Sequence, residues 1–264
     1  VGKGKRIALS NGRRLIDDVT EIAKTIPAAG ITGDFALAEV DRLRRLTRPK
    51  LSWNVIYLKA YAKVAQQTPE LNQIHVRFPW PHLYQHHSIV CMMTINRHLD
   101  GEDRLFFARF NNPHNDSLAV LQEKYDFFRQ APINEIRQFR HQIRFANAPW
   151  FVRRIAWWLM FALWPAKRAS HVGTIGMSFS GYRGVYGNQH LGPLTSILGI
   201  DPFPRQGKAR LVLTFDHRVL DGIPAANVLQ QIHQLVMGEV YREMLDLVEQ
   251  QASDCTVRQA HQAA

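Results

Sequence analysis

Two cysteines in 264 residues, Cys91 and Cys255, are too few and too far apart for a disulfide framework or a metal site of Cys pairs, so a reducing cytoplasm is the expected setting. His82, His86 and His87 have no second cluster at ligand spacing and read as polar loop residues, so no metal is expected. Carboxylates are scarce as well: 22 Asp and Glu stand against 33 Lys and Arg, a formal net charge of +11 that asks for an anionic partner or surface. Nucleic acid is one such partner, but basic helix, zinc-ligand spacing and RNA-binding aromatic motif are all missing. The Arg and Lys are dispersed, as at 42–48 and 137–154, so a solvated face is expected and no nucleic acid. Long apolar runs are absent too. The longest, Ile155 to Trp164, has ten residues where a membrane-spanning helix needs about 20. The chain starts at Val1 without a charged segment leading into an apolar one, so no secretory leader is expected in it.

What is present is ample apolar material, 46% of residues, and a mixture of helix-like and strand-like runs that argues for α/β layers. The length suits one large domain over 1–250, with an N-terminal arm of about 1–20 and a polar, frayed tail at 251–264. Periodicity predicts a first helix ending near Ile26, a strand over Phe35 to Val40 and a helix from about Ser52 to Gln67. Ile89 to Asn96 and Arg104 to Phe110 read as a hairpin across His98–Gly101, and Leu118 to Arg129 and Ile133 to Phe145 as helices. Ala209 to Phe215 reads as a buried strand and Ile223 to Met237 as a helix, with Pro224 tolerated in its first turn.

Between that strand and helix stands Asp216-His217-Arg218-Val219-Leu220-Asp221-Gly222. An imidazole titrating near neutrality can take a proton from a thiol or hydroxyl and return it to a leaving group, which makes His217 a candidate base. Asp221 could orient it, hold the loop through an Arg, or merely cap the helix; Gly222 would permit a positive φ or a close backbone approach.

DHRVLDG resembles the DHRxxDG motif of the catalytic domain of dihydrolipoyl acyltransferases of 2-oxoacid dehydrogenase complexes, whose fold is shared with chloramphenicol acetyltransferase. Residues 173–181 (GTIGMSFSG) are similar to that family's GTFTISSLG, 197–200 (ILGI) to its ILGV, 6–16 (RIALSNGRRLI) to its RIPLSxxRKxI, and 68–72 (TPELN) to its FPELN. The resemblance spans about residues 6 to 240 and is one of pattern only from Phe78 to Ala169. It implies a two-layer sandwich, a mixed β-sheet covered by helices. It makes His217 the general base and Ser178 the oxyanion donor, with Ser180 the alternative two residues on along the same face. Asp221 would be structural, paired with Arg13 or else Arg14, with Asp216 and Arg218 supporting the same turn. It further implies a homotrimer whose active site lies between subunits, and CoA or acyl-CoA as substrate.

Lipoyl domains, a lipoyl-lysine and a subunit-binding domain are not in these residues, which leaves an excised catalytic core or, the preferred expectation, a free-standing relative. It would move an acyl group between CoA and a thiol, hydroxyl or amine. A non-catalytic oligomeric scaffold and a membrane-surface protein are the alternatives. The last draws on 149–168 (PWFVRRIAWWLMFALWPAKR), whose four Trp read as a helix buried within the core or between subunits, a wall for a lipophilic acyl group or acceptor, or an interfacial anchor flanked by Arg153, Arg154, Lys167 and Arg168.

Overall fold

The computed structural model describes residues 4–179, 190–203 and 206–262. Nine helices and eight strands are described: α1 (Asn11–Ala23), β1 (Ala28–Ala36), α2 (Ala38–Arg44), α3 (Trp53–Gln67), β2 (Gln73–Val76), β3 (His82–Gln85), β4 (Val90–Leu99), β5 (Glu102–Asn111), α4 (Leu118–Gln130), α5 (Arg137–Asn147), α6 (Trp150–Ala162), α7 (Pro165–His171), β6 (Ile175–Phe179), β7 (Ser196–Phe203), β8 (Lys208–Asp216), α8 (Gly222–Met237) and α9 (Glu239–Gln262). Six strands form a mixed sheet in the order β1-β8-β7-β6-β4-β5. β4, β6 and β7 run parallel, while β1 with β8, β7 with β8, and β4 with β5 are antiparallel. β2 and β3 make a separate small hairpin that the sequence patterning does not announce.

Strand alternation divides the sheet into two faces. Cys91, Met93, Ile175, Met177, Leu198, Ile200, Leu211 and Leu213 point to one face and join the main core with α3 and α8. α3 fits this place because it is apolar nearly all round, and twelve of its fifteen residues are buried. Ser52 caps it by accepting a hydrogen bond from the Asn54 N–H (3.3 Å). On the opposite face Met92 and Ile197 form a second, smaller cluster with Leu194 and Val172, against which Trp157, Met160 and Phe161 of α6 pack.

Three expectations need correction. β1 starts at Ala28 and ends at Ala36, earlier than the apolar pattern suggests, because it is an edge strand whose length is set by pairing with β8 as far as Lys208. The residues after Gln250 are helical to Gln262, continuing α9. They are polar, but no Gly or Pro interrupts them, so nothing stops the helix.

The third correction concerns 149–168. α6 is not a core helix: its one buried residue is Arg153, while Trp150, Phe151, Ile155 and Trp158 are exposed. The cause is an ion pair. Arg153 Nε donates to Asp18 of α1 at 2.7 Å with both side chains buried, which turns the Arg153 side of α6 inward together with Trp157 and leaves Trp150, Phe151, Ile155 and Trp158 outside. No described helix is long and apolar enough to cross a membrane.

Candidate active site

The turn after β8 is built around Asp216. Its N–H donates to the Thr195 carbonyl (2.8 Å), its own carbonyl accepts from Val219 and Leu220 (3.0 and 3.1 Å), and its carboxylate takes two hydrogen bonds from the Arg218 guanidinium (2.8 and 2.6 Å). Asp216 is buried, and Arg168 of α7 lies close enough behind it to feel its charge. Burial pulls the Arg168 guanidinium down to about 9; Asp216 opposes that shift and Arg218 adds to it. Asp216 and Arg218 thus support the turn, as expected.

His217 leaves this braced turn toward solvent. Its N–H is fixed by the Pro27 carbonyl (3.0 Å), and its ring packs edge-on against Phe215 with centroids 5.9 Å apart. Its side chain is 55% exposed. Asp221 stands at the cap position of α8 yet makes no capping bond; its carboxylate instead faces His217 Nδ1 at 3.2 Å. That contact favours a proton on Nδ1 and leaves the Nε2 lone pair to accept another. A base with a carboxylate behind it is what this pair can be chemically.

Within one chain Arg13 does not join it. The exposed Arg13 lies in the first turn of α1, where its charge acts on Glu102 at the β4–β5 hairpin. That edge is four strands from β8, about 19 Å away at normal strand spacing. Arg14 donates to the Leu9 carbonyl at 3.2 Å and is not the partner either. α1 is held there by close packing: a side chain at Gly12 would meet Arg104 Cγ at 3.2 Å. Gly222 is likewise not required by geometry, since it is an ordinary helical residue whose Cβ would point into open space.

Ser178 lies near the end of β6, on the sheet face away from α3, and its Oγ accepts a 3.3 Å hydrogen bond from Thr94. The alternative, Ser180, lies outside the described residues. Ser178 is in register with Gly199 of β7, and Gly199 with Val212 of β8. His217 is five residues further along the chain from Val212, so Ser178 and His217 are about 20 Å apart within one chain, at opposite ends of the sheet. One chain does not bring them together.

Two residues near these positions escape sequence reasoning. The His190 imidazole lies over Gly199 so closely that any Cβ there would come within 2.1 Å of His190 Cε1, which puts a histidine over the strand position beside Ser178. Burial lowers its pKa. The other is Arg168 behind Asp216. Neither stands at a motif spacing, so only the fold reveals them. A shallow recess lined by Ala28, His190, Leu194, Thr214 and Phe215 opens on that same side of β8.

Compared with solved structures, the chain superimposes on acetyltransferase cores at low identity. A probable dihydrolipoamide acetyltransferase from Listeria monocytogenes 4b F2365 matches with a TM-score of 0.62 at 18% identity, over 89% of this chain and 94% of that one. The dihydrolipoamide acetyltransferase (E2p) of Azotobacter vinelandii, in which a serine, a histidine and an asparagine were investigated for their role in catalysis, gives 0.65 at 15%, over 92% and 95%. The cubic core of the pyruvate dehydrogenase multienzyme complex gives 0.63 at 15%, over 92% and 95%. No protein-family model matches the sequence, and neither does any curated protein. The fold is that of these catalytic cores.

Proposed function

We propose that this protein is an acyltransferase that moves an acyl group between CoA and a thiol, hydroxyl or amine acceptor, with His217 as general base and Ser178 as oxyanion donor. The observation that carries the reading is an exposed His217, braced at a strand end and backed by Asp221, on the fold of acetyltransferase cores. The histidine and asparagine studied in the Azotobacter vinelandii enzyme are four positions apart, as His217 and Asp221 are here.

In the proposed step, His217 Nε2 accepts the proton of the acceptor as its S, O or N attacks the thioester carbonyl. The carbonyl π electrons move to oxygen, and the Ser178 hydroxyl donates to that oxyanion. Collapse breaks the C–S bond, and the CoA thiolate takes the proton from His217. With Asp221 behind Nδ1, the imidazolium formed midway has a countercharge.

The 20 Å separation supports a site shared between copies, His217 from one chain and Ser178 from the next, as an oligomer would allow. The cubic core among the structural neighbours is an oligomeric assembly of this fold, and a homotrimer is our reading for this chain. The test is release of CoA thiol from acyl-CoAs of increasing length, with dihydrolipoamide and host extract as acceptors. Release that vanishes in His217→Ala supports the proposal; release that persists in that variant contradicts it.

A further inference from the structure

α6 presents its apolar side to solvent with nothing in the described residues to cover it. Phe151, Ile155 and Trp158 fall at helical spacing on one outward stripe, opposite Arg153 and Trp157, which face inward. The stripe is a convex ridge, which suits a broad surface better than a small molecule needing enclosure. Its ends carry aromatic and cation together: the Arg154 guanidinium is 5.8 Å from the centre of the Trp150 ring, and Lys167 Nζ is 5.0 Å from that of Trp164. Arg154 also meets Glu21 at 4.0 Å, a carboxylate that Lys24 already engages.

The charge pattern around this ridge decides what it fits. Arg154 and Lys167 flank it, Arg153 and Arg168 are buried, and the carboxylate that meets the rim, Glu21, is already engaged by Lys24. A second copy pressing the same ridge against this one would align the Arg154 and Lys167 of both copies, with Glu21, already held by Lys24, the one carboxylate shown at the rim among the described residues. An anionic bilayer supplies both complements at once, phosphates for Arg154 and Lys167 and an acyl boundary for the ridge. Trp at both ends is the usual residue for that depth.

We propose that α6 docks the protein on an anionic membrane surface, lying flat with Phe151, Ile155 and Trp158 inserted at the boundary between headgroups and acyl chains. The inference is independent of the acyltransferase reading, since it uses none of that site's residues.

Flotation of the protein with phosphatidylcholine vesicles, with and without phosphatidylglycerol, tests it. Wild type is expected on the phosphatidylglycerol vesicles with blue-shifted Trp emission, and salt should weaken the binding. The Phe151→Ser/Ile155→Ser/Trp158→Ser variant should bind about a hundredfold more weakly at unchanged Tm and assembly mass. Equal binding by that variant, no binding of wild type at low salt, or a smaller assembly for the variant would overturn the proposal, the last by making the ridge an interface between copies. If the triple variant does not fold, Lys167→Glu alone serves. It should weaken binding about fivefold or more, and unchanged binding would overturn the proposal.

Discussion

The turn at 216–222 and helix α6 each aim a side chain at solvent by means of an ion pair, Asp216 with the half-buried Arg218 in one and the fully buried Asp18 with Arg153 in the other. The first pair closes over two residues and the second over 135. A local pair can be read with the strand and helix that flank it, because the residues it orients are its neighbours in sequence. A long-range pair cannot. α6 taken alone is apolar and reads as buried, and the arrival of Asp18 from α1 draws Arg153 inward beside Trp157 and leaves Trp150, Phe151 and Trp158 outside. Which way a helix faces is a tertiary decision, and one charged residue can override ten apolar ones.

That contrast predicts separable consequences. The largest effect should come from the turn: His217→Ala should abolish acyl transfer while assembly mass and Tm stay as in wild type, because the exposed ring is needed for the proton and not for packing. A large fall in Tm would mean that the ring supports the turn instead. Ser178→Ala should lower turnover by about a hundredfold or more at unchanged stability, the usual effect of losing one oxyanion donor. A loss under tenfold would move the role to Ser180 or away from β6.

On the other side of the comparison, Arg153→Ala should lower stability by about 3 kcal/mol, since it leaves the Asp18 carboxylate buried and unpaired. Chemical denaturation measures this, and at temperatures where the variant stays folded its acyl transfer should match wild type. A variant as stable as wild type would show that the pair does not hold α6. The smallest effect belongs to Asp221→Asn. Asp221 is exposed and keeps a polar atom at His217 when amidated, so Tm should not change and turnover should fall less than about tenfold. A collapse of Tm would restore a structural ion pair for Asp221, one this chain does not form with Arg13.

Much of the frame is legible in the sequence. The hairpin of β4 and β5, α3, α4, β8 and α8 follow from periodicity and turn residues, and the 216–222 turn from its motif. β1 is less so: its alternation is blurred by Ala and Gly, and its outer side meets solvent, so pairing with β8 and not the residue pattern fixes its ends. Motif order puts Arg13 with Asp221 but says nothing of the sheet edge on which α1 rests, and packing of Gly12 on Arg104 keeps the two apart within one chain. His217 and Ser178 are each legible as residues, but their distance is not. Only the strand register, with β8 running antiparallel to β7, sends them to opposite ends of the sheet.

That distance makes a shared site the central claim, and subunit mixing tests it most directly. His217→Ala and Ser178→Ala chains, each inactive or nearly so, would be denatured, mixed in equal amounts, refolded together and assayed for CoA release. A site made of His217 from one chain and Ser178 from its neighbour predicts recovery to about a quarter of wild-type turnover, the share of sites that receive both intact residues by random assembly. Mixed assemblies that recover no more activity than the two variants refolded apart would contradict it.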